Sequence, residues 1–181
     1  MRTIMKKNAL SVLITSIMLV SGMNALFAQD EGGSGYSAGL NVSYPLLAGE
    51  YFDGDGTRTG VSVGVVVDTP YGFDLGPYSV GVGVGLELAN LGADDNFTYT
   101  GFYVSLESTV YELESGPIGV YGGLGMYGGL AAIGALTYDY AVSGQPIVIQ
   151  PYARTTLLLD ADGDGTTSYI MSIGAMINYS F

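Results

Sequence analysis

From Tyr36 onward the chain alternates, an apolar residue followed by a small or polar one, in run after run. In "YSVGVGVGLEL", Tyr78, Val80, Val82, Val84, Leu86 and Leu88 share one face, and Ser79, Gly81, Gly83, Gly85 and Glu87 share the other. "YSAGLNVSY" does the same with Ala38, Leu40, Val42 and Tyr44 against Ser37, Gly39, Asn41 and Ser43. "GVSVGVVVD" sets Val61, Val63, Val65 and Val67 against Ser62, Gly64, Val66 and Asp68. Period two predicts strands with one apolar and one polar side, since successive side chains of a strand point to opposite faces.

The pattern continues to the end of the chain. The fourth segment opposes Phe102, Val104, Leu106 and Val110 to Tyr99, Gly101, Tyr103, Ser105, Glu107 and Thr109. The fifth opposes Ile118, Val120, Leu124, Met126 and Leu130 to Gly119, Tyr121, Gly123, Gly125 and Tyr127. The sixth opposes Leu136, Tyr138, Tyr140 and Val142 to Ala135, Thr137, Asp139 and Ala141, and the seventh Ile149, Ala153, Leu157 and Leu159 to Gln150, Tyr152, Arg154 and Thr156. In the last, "SYIMSIGAMINYSF", Tyr169, Met171, Ile173, Ala175, Ile177, Tyr179 and Phe181 fall together. Pro151 cannot donate to a sheet ladder, so a bulge is expected near it. Connections rich in Asp and Gly ("AGEYFDGDGTRT", "NLGADDN", "DADGDGTT") alternate with compact turns ("ESGP", "SGQP"). Two joints fit less well: "TPYGFDLGP" is long for a turn, and the joint near Ala131–Ala132 is short and apolar.

Eight segments of this kind predict an all-β, eight-stranded antiparallel up-and-down barrel, each strand long enough to cross a bilayer at a tilt. The polar faces carry Ser, Gly, Thr and Tyr and few charges, which suits a narrow lumen better than a water-facing surface. The apolar faces then meet lipid. Tyr36, Tyr78, Tyr111, Tyr140, Tyr179 and Phe181 would sit at one membrane interface and Tyr44, Phe97 and Tyr169 at the other, as interfacial aromatics favour.

Composition sharpens this picture. Hydrophobic residues make up 48% of the chain and charged residues 12%, with 29 glycines. Residues 1–28 read as a signal peptide: Arg2, Lys6 and Lys7, then the apolar run Ala9–Val20, then a cleavage point after Ala28 or Ala25. That leaves residues 29–181 as the barrel, with Arg58 and Arg154 as its basic residues against all 17 acids. So acidic a surface disfavours nucleic acid. With no cysteine there is no thiolate site, and with no histidine the usual general base is absent. A carboxylate pair such as Glu87 and Glu107 lining a narrow lumen has no substrate cleft, so the chain reads as a non-enzyme.

The chain resembles the eight-stranded outer-membrane barrels of the OmpA-membrane-domain and OmpX type over essentially its whole length after the leader. The resemblance implies an outer-membrane location, lipid as the surrounding partner, and a last strand read by the barrel-assembly machinery. Tyr179 and Phe181, behind Ile173, Ala175 and Ile177, match that strand's pattern.

Two sets of residues are candidates for chemistry. "DADGDG" has the D-x-D-x-D-G spacing of a calcium loop, although the twelfth position, where a bidentate Glu belongs, is Met171. One reading is a weak Ca²⁺ site from Asp160, Asp162 and Asp164, joined by Asp53 and Asp55 of the neighbouring first loop. The other is a set of Asp-Gly turns that need no metal; no further cofactor is expected. The second set is Glu87, Glu107, Asp139 and Arg154 on the inner face. Asp139 and Arg154 are expected near cross-strand register, either as a structural plug or as part of a cation path. Function then divides three ways: a structural or surface-interaction protein acting through acidic loops, a small pore or carrier for small or apolar solutes, or a soluble periplasmic lipid-binding barrel with its apolar side inward.

Overall fold

Alternation over this length, with Val, Ile, Leu and Tyr on one side and Gly or Ser on the other, favours paired strands, and paired strands are what form. The computed structural model describes residues 35–49, 56–57, 60–90, 98–159 and 167–181. The long strands are β1 (Ser37–Ala48), β2 (Ser62–Leu75), β3 (Tyr78–Asn90), β4 (Thr98–Leu113), β5 (Gly116–Met126), β6 (Leu130–Tyr138), β7 (Ile147–Leu159) and β8 (Ser168–Ser180). Two short pieces join them: Gly56–Thr57 pairs with the end of β1, and Tyr140–Ala141 carries the line of β6 on against β7.

Each long strand pairs antiparallel with its neighbours, and β8 pairs with both β7 and β1, so the sheet closes. Starting at Ser37 and stepping from partner to partner through Asp68, Gly83 and Ser105, the circuit returns to β1 at Ala48, well along the same strand. That offset is the shear of the barrel, and it obliges the strands to tilt. Bulges at Pro45/Leu47 and Thr109/Tyr111 bend β1 and β4 near their ends, and one at Asp68/Gly72 bends β2 at mid-strand.

The two faces separate as the alternation predicts. Leu40, Val42, Phe102, Val104, Leu106, Leu124, Leu136, Ile173 and Ile177 are exposed on the outer wall, while Asn41, Ser43, Ser62, Glu87, Ser105, Thr137 and Gln150 are buried within. A soluble carrier would bury its Leu, Val and Ile side chains inside and show its polar ones to water. This barrel has the opposite polarity. Tyr44 and Tyr169 are exposed at one rim, and Tyr78, Tyr111, Tyr140 and Tyr179 at the other. Phe97 lies outside the described residues, as does the proposed signal segment 1–28.

Three local expectations are corrected. Ala131–Ala132 is not a joint but the start of β6, and Leu130 belongs to β6, opposite Met126, rather than to β5. The turn lies earlier, at Tyr127–Gly129, where Gly128 takes φ 83° and Tyr127 N–H donates to the Gly129 carbonyl at 2.8 Å. A left-handed φ is cheap for glycine, so this three-residue reversal outcompetes a longer one. "TPYGFDLGP" is likewise no loop. After its bulge β2 runs on to Leu75, and the hairpin turns through Gly76 and Pro77. Lastly, no register shift marks Pro151. Pairing of β6 with β7 runs to Thr137↔Tyr152, lapses at Tyr138 and Asp139, and resumes in the same register at Tyr140↔Ile149. The missing donor is absorbed by a local gap, with Asp139 N–H turned to the Pro117 carbonyl at 2.9 Å.

Candidate functional site

The lumen is the one enclosed environment that the described strands create, and its contents fall into two layers. In the middle, Glu87 on β3 and Arg154 on β7 reach across the barrel from opposite walls and meet at 2.5 Å, with side chains 1% and 5% exposed. Tyr127, at the β5–β6 turn, donates its hydroxyl to the other Glu87 oxygen at 3.1 Å. Tyr103 stacks on Tyr127, ring centroids 6.4 Å apart and planes 14° apart. The Arg154 guanidinium lies 5.7 Å from the Tyr152 ring centroid, within range of a cation–π contact.

Glycine makes room for these rings. A Cβ on Gly85 would fall 2.1 Å from the Tyr103 ring, and one on Gly101 would fall 2.0 Å from the Tyr127 ring. Gly85 on β3 and Gly101 on β4 are therefore the complements of the inward Tyr103 and Tyr127. What is left between Asn41, Tyr103, Tyr121 and Tyr152 is a cavity of about 10 Å³, enough for about one water. Side chains thus leave little free space at this level of the lumen.

Toward the rim of the short hairpins the lumen opens into a chamber of about 320 Å³, lined among others by Asp68, Glu107, Asp139, Gln150 and Asn178. Here Gln150 Nε2 donates to Glu107 Oε1 and to Asp139 Oδ1, both at 2.8 Å. Ser37 Oγ donates to Asp68 Oδ2 at 2.5 Å.

The four inner charges expected from the sequence are thus all in the lumen but not in one cluster. The Asp139–Arg154 pairing is overturned: the ladder sets Arg154 opposite Ala135, and the same register carried on sets Asp139 opposite Gln150. Four residues of strand, about 13 Å, separate the two levels. Arg154 finds its carboxylate on the far wall instead, which strand-by-strand reasoning could not see. Asp68 and Gln150 were on the inner faces by parity, yet only the closed barrel brings them beside Glu107. The acidic-loop residues Asp53, Asp55, Asp160, Asp162 and Asp164 lie outside the described residues. Tyr179 and Phe181 pack together at 5.5 Å between centroids, and Phe181 N–H donates to the Tyr36 carbonyl at 3.1 Å, so the last strand closes the barrel against β1.

No protein-family model matches this sequence, and no curated protein matches it. A solved structure does. The crystal structure of Neisserial surface protein A superposes with a TM-score of 0.59 at 12% identity, covering 83% of this chain and 100% of that one. The fold is that of the eight-stranded outer-membrane barrels. At this identity the likeness is one of fold alone.

Proposed function

We propose that the chain is a non-enzymatic integral outer-membrane protein whose barrel is a closed scaffold, with any surface interaction made through the acidic loops at the rim opposite the short hairpins. The observation that carries this reading is the pairing of an apolar outer wall with a lumen blocked by Glu87, Arg154 and the stacked tyrosines. A structure with its Leu and Val outward is stable only against hydrocarbon, and a core with space for about one water is a poor path for solutes. On this reading residues 1–28 direct export and are removed, the termini face the periplasm, and the strand ending in Tyr179 and Phe181 is what the assembly machinery reads. The loop aspartates Asp53, Asp55, Asp160, Asp162 and Asp164 form a weak calcium site at most. Absence of heat on titration with millimolar calcium would reduce them to turn formers.

The test is gel mobility of detergent-refolded protein, boiled against unboiled, followed by planar-bilayer recording. A shifted, SDS-resistant band without discrete conductance supports the closed scaffold. Regular unit conductance would replace it with the pore reading, and a protein soluble without detergent would remove both.

A further inference from the structure

The outer wall is not evenly filled. A groove of about 710 Å³ crosses it over β6, β7, β8 and β1, and the strand pairing explains its shape. The floor is a row of cross-strand partners at inward-facing positions, Thr137, Tyr152, Gly174 and Ser43, so it presents backbone. One side is the outward row Leu136, Ala153, Ile173 and Tyr44. The other starts at Tyr138 and continues through the paired Pro151, Ala175 and Val42. Ala153, Pro151 and Ala175 are small beside Leu136, Ile173 and Tyr44, so the cut is widest where β7 meets β8.

The shape selects the occupant. Outward rows on either side of one inward position stand about 7 Å apart, whereas a helix with its side chains is about 10 Å across. A second barrel is no better, because two convex walls touch along a line and leave such a groove empty. The groove also bends with the wall, which excludes a straight, rigid body. Its floor offers nothing to a polar group, since the ladder uses the backbone donors and acceptors and Pro151 has no N–H. A slender, flexible chain of methylene groups satisfies all of these conditions, and the groove is continuous with the wall that hydrocarbon surrounds. Within hydrocarbon there is no hydrophobic gain, so packing decides what stays. An unfilled cut forfeits dispersion contacts along its whole lining.

We propose that this groove holds one acyl chain of a phospholipid from the leaflet at the short-hairpin rim, as an ordered lipid that exchanges more slowly than its neighbours. The chain enters beside Tyr138, whose hydroxyl donates to the Ser115 carbonyl of the β4–β5 turn at 2.8 Å, which puts that end of the groove at the interface. The inference rests on the outer wall being lipid-facing, as in the proposed function.

Native mass spectrometry of the refolded barrel tests it, in detergent micelles doped with palmitoyl-oleoyl phosphatidylethanolamine. One phospholipid per barrel is expected to survive activation that strips the rest. Ala153→Phe puts a ring in the middle of the groove and should lower the retained fraction about tenfold, the loss of about ten carbon contacts sufficing for that factor. Val104→Phe, on the outer face of β4 across the barrel, should leave retention unchanged. Ala175→Leu, from the other side of the groove, serves if Ala153→Phe fails to show the heat-dependent gel shift. The proposal is overturned if a parent barrel that shows the gel shift retains no lipid, or if the groove variants retain as much as the parent. Equal loss in Val104→Phe overturns it too, since the lipid would then be held by the wall at large. A protein that shows no gel shift and is soluble without detergent removes the proposed function itself, so the two failures are told apart.

Discussion

Arg154 is buried, charged and paired with a buried carboxylate, so the stability of the lumen depends on it. Truncating one member of such a pair leaves a bare charge in a low-dielectric space, at a cost of about 3–5 kcal/mol. Arg154→Ala is thus expected to lower the unfolding temperature of the refolded barrel markedly, read by circular dichroism and by the temperature at which the gel shift is lost. Combining Glu87→Gln with Arg154→Met removes both charges at once and is expected to recover at least half the loss. No recovery would mean that the pair acts through shape rather than charge. The importance of Arg154 was legible in the sequence, since an arginine on an inner face demands an acid. Which acid was not, because Glu87 and Arg154 are on strands that never pair, and only closure of the sheet sets them face to face.

Among the strands, Gly85 of β3 and Gly101 of β4 turn out to be packing devices. Gly85 is the cross-strand partner of Tyr103, and Gly101 lies beneath Tyr127, the residue that also holds Glu87. A methyl group at Gly101 would displace the Tyr127 ring and loosen that hydrogen bond. Gly101→Ala is expected to destabilise by about 1–3 kcal/mol, the usual range for overpacking. Gly134→Ala makes the control, since a Cβ on this outward-facing glycine of β6 meets nothing within 4 Å; its melting temperature should stay within a degree or two of the parent. Equal losses in both would point to strand flexibility rather than ring packing. Strand existence and facing were legible throughout, because parity needs only the chain itself. Strand ends were less so. An apolar joint at Ala131–Ala132 hid the start of β6 because Ala131 and Ile133 are inward yet apolar, breaking the polar-inside rule where the lumen nears its outer end. The extension of β2 to Leu75 was obscured by its bulge, where two extra residues between Asp68 and Gly72 interrupt the pairing with β3 and make strand resemble loop.

For the molecule as a whole, the question is what its outer wall meets, and one pair of substitutions answers it. Val104, near the middle of β4, is 43% exposed, and Leu75, at the tip of the β2–β3 hairpin, is 65% exposed. In water the two are equivalent, and arginine at either would be close to neutral, Leu75 being the more open of the pair. Across a bilayer they differ by depth. Arginine on the lipid face near the midplane costs about 2–4 kcal/mol, falling to about 0–1 near the interface. Val104→Arg should therefore shift the folding equilibrium in lipid vesicles by that larger amount, and Leu75→Arg by little, measured as the change in urea midpoint on one set of vesicles. Equal small effects would mean that no hydrocarbon surrounds the wall. Equal large effects would bring the β2–β3 hairpin into the membrane as well, moving the lower interface past the Tyr78, Tyr111 and Tyr140 girdle. The expected outcome, large at Val104 and small at Leu75, places the boundary between those positions, where the exposed tyrosines already cluster.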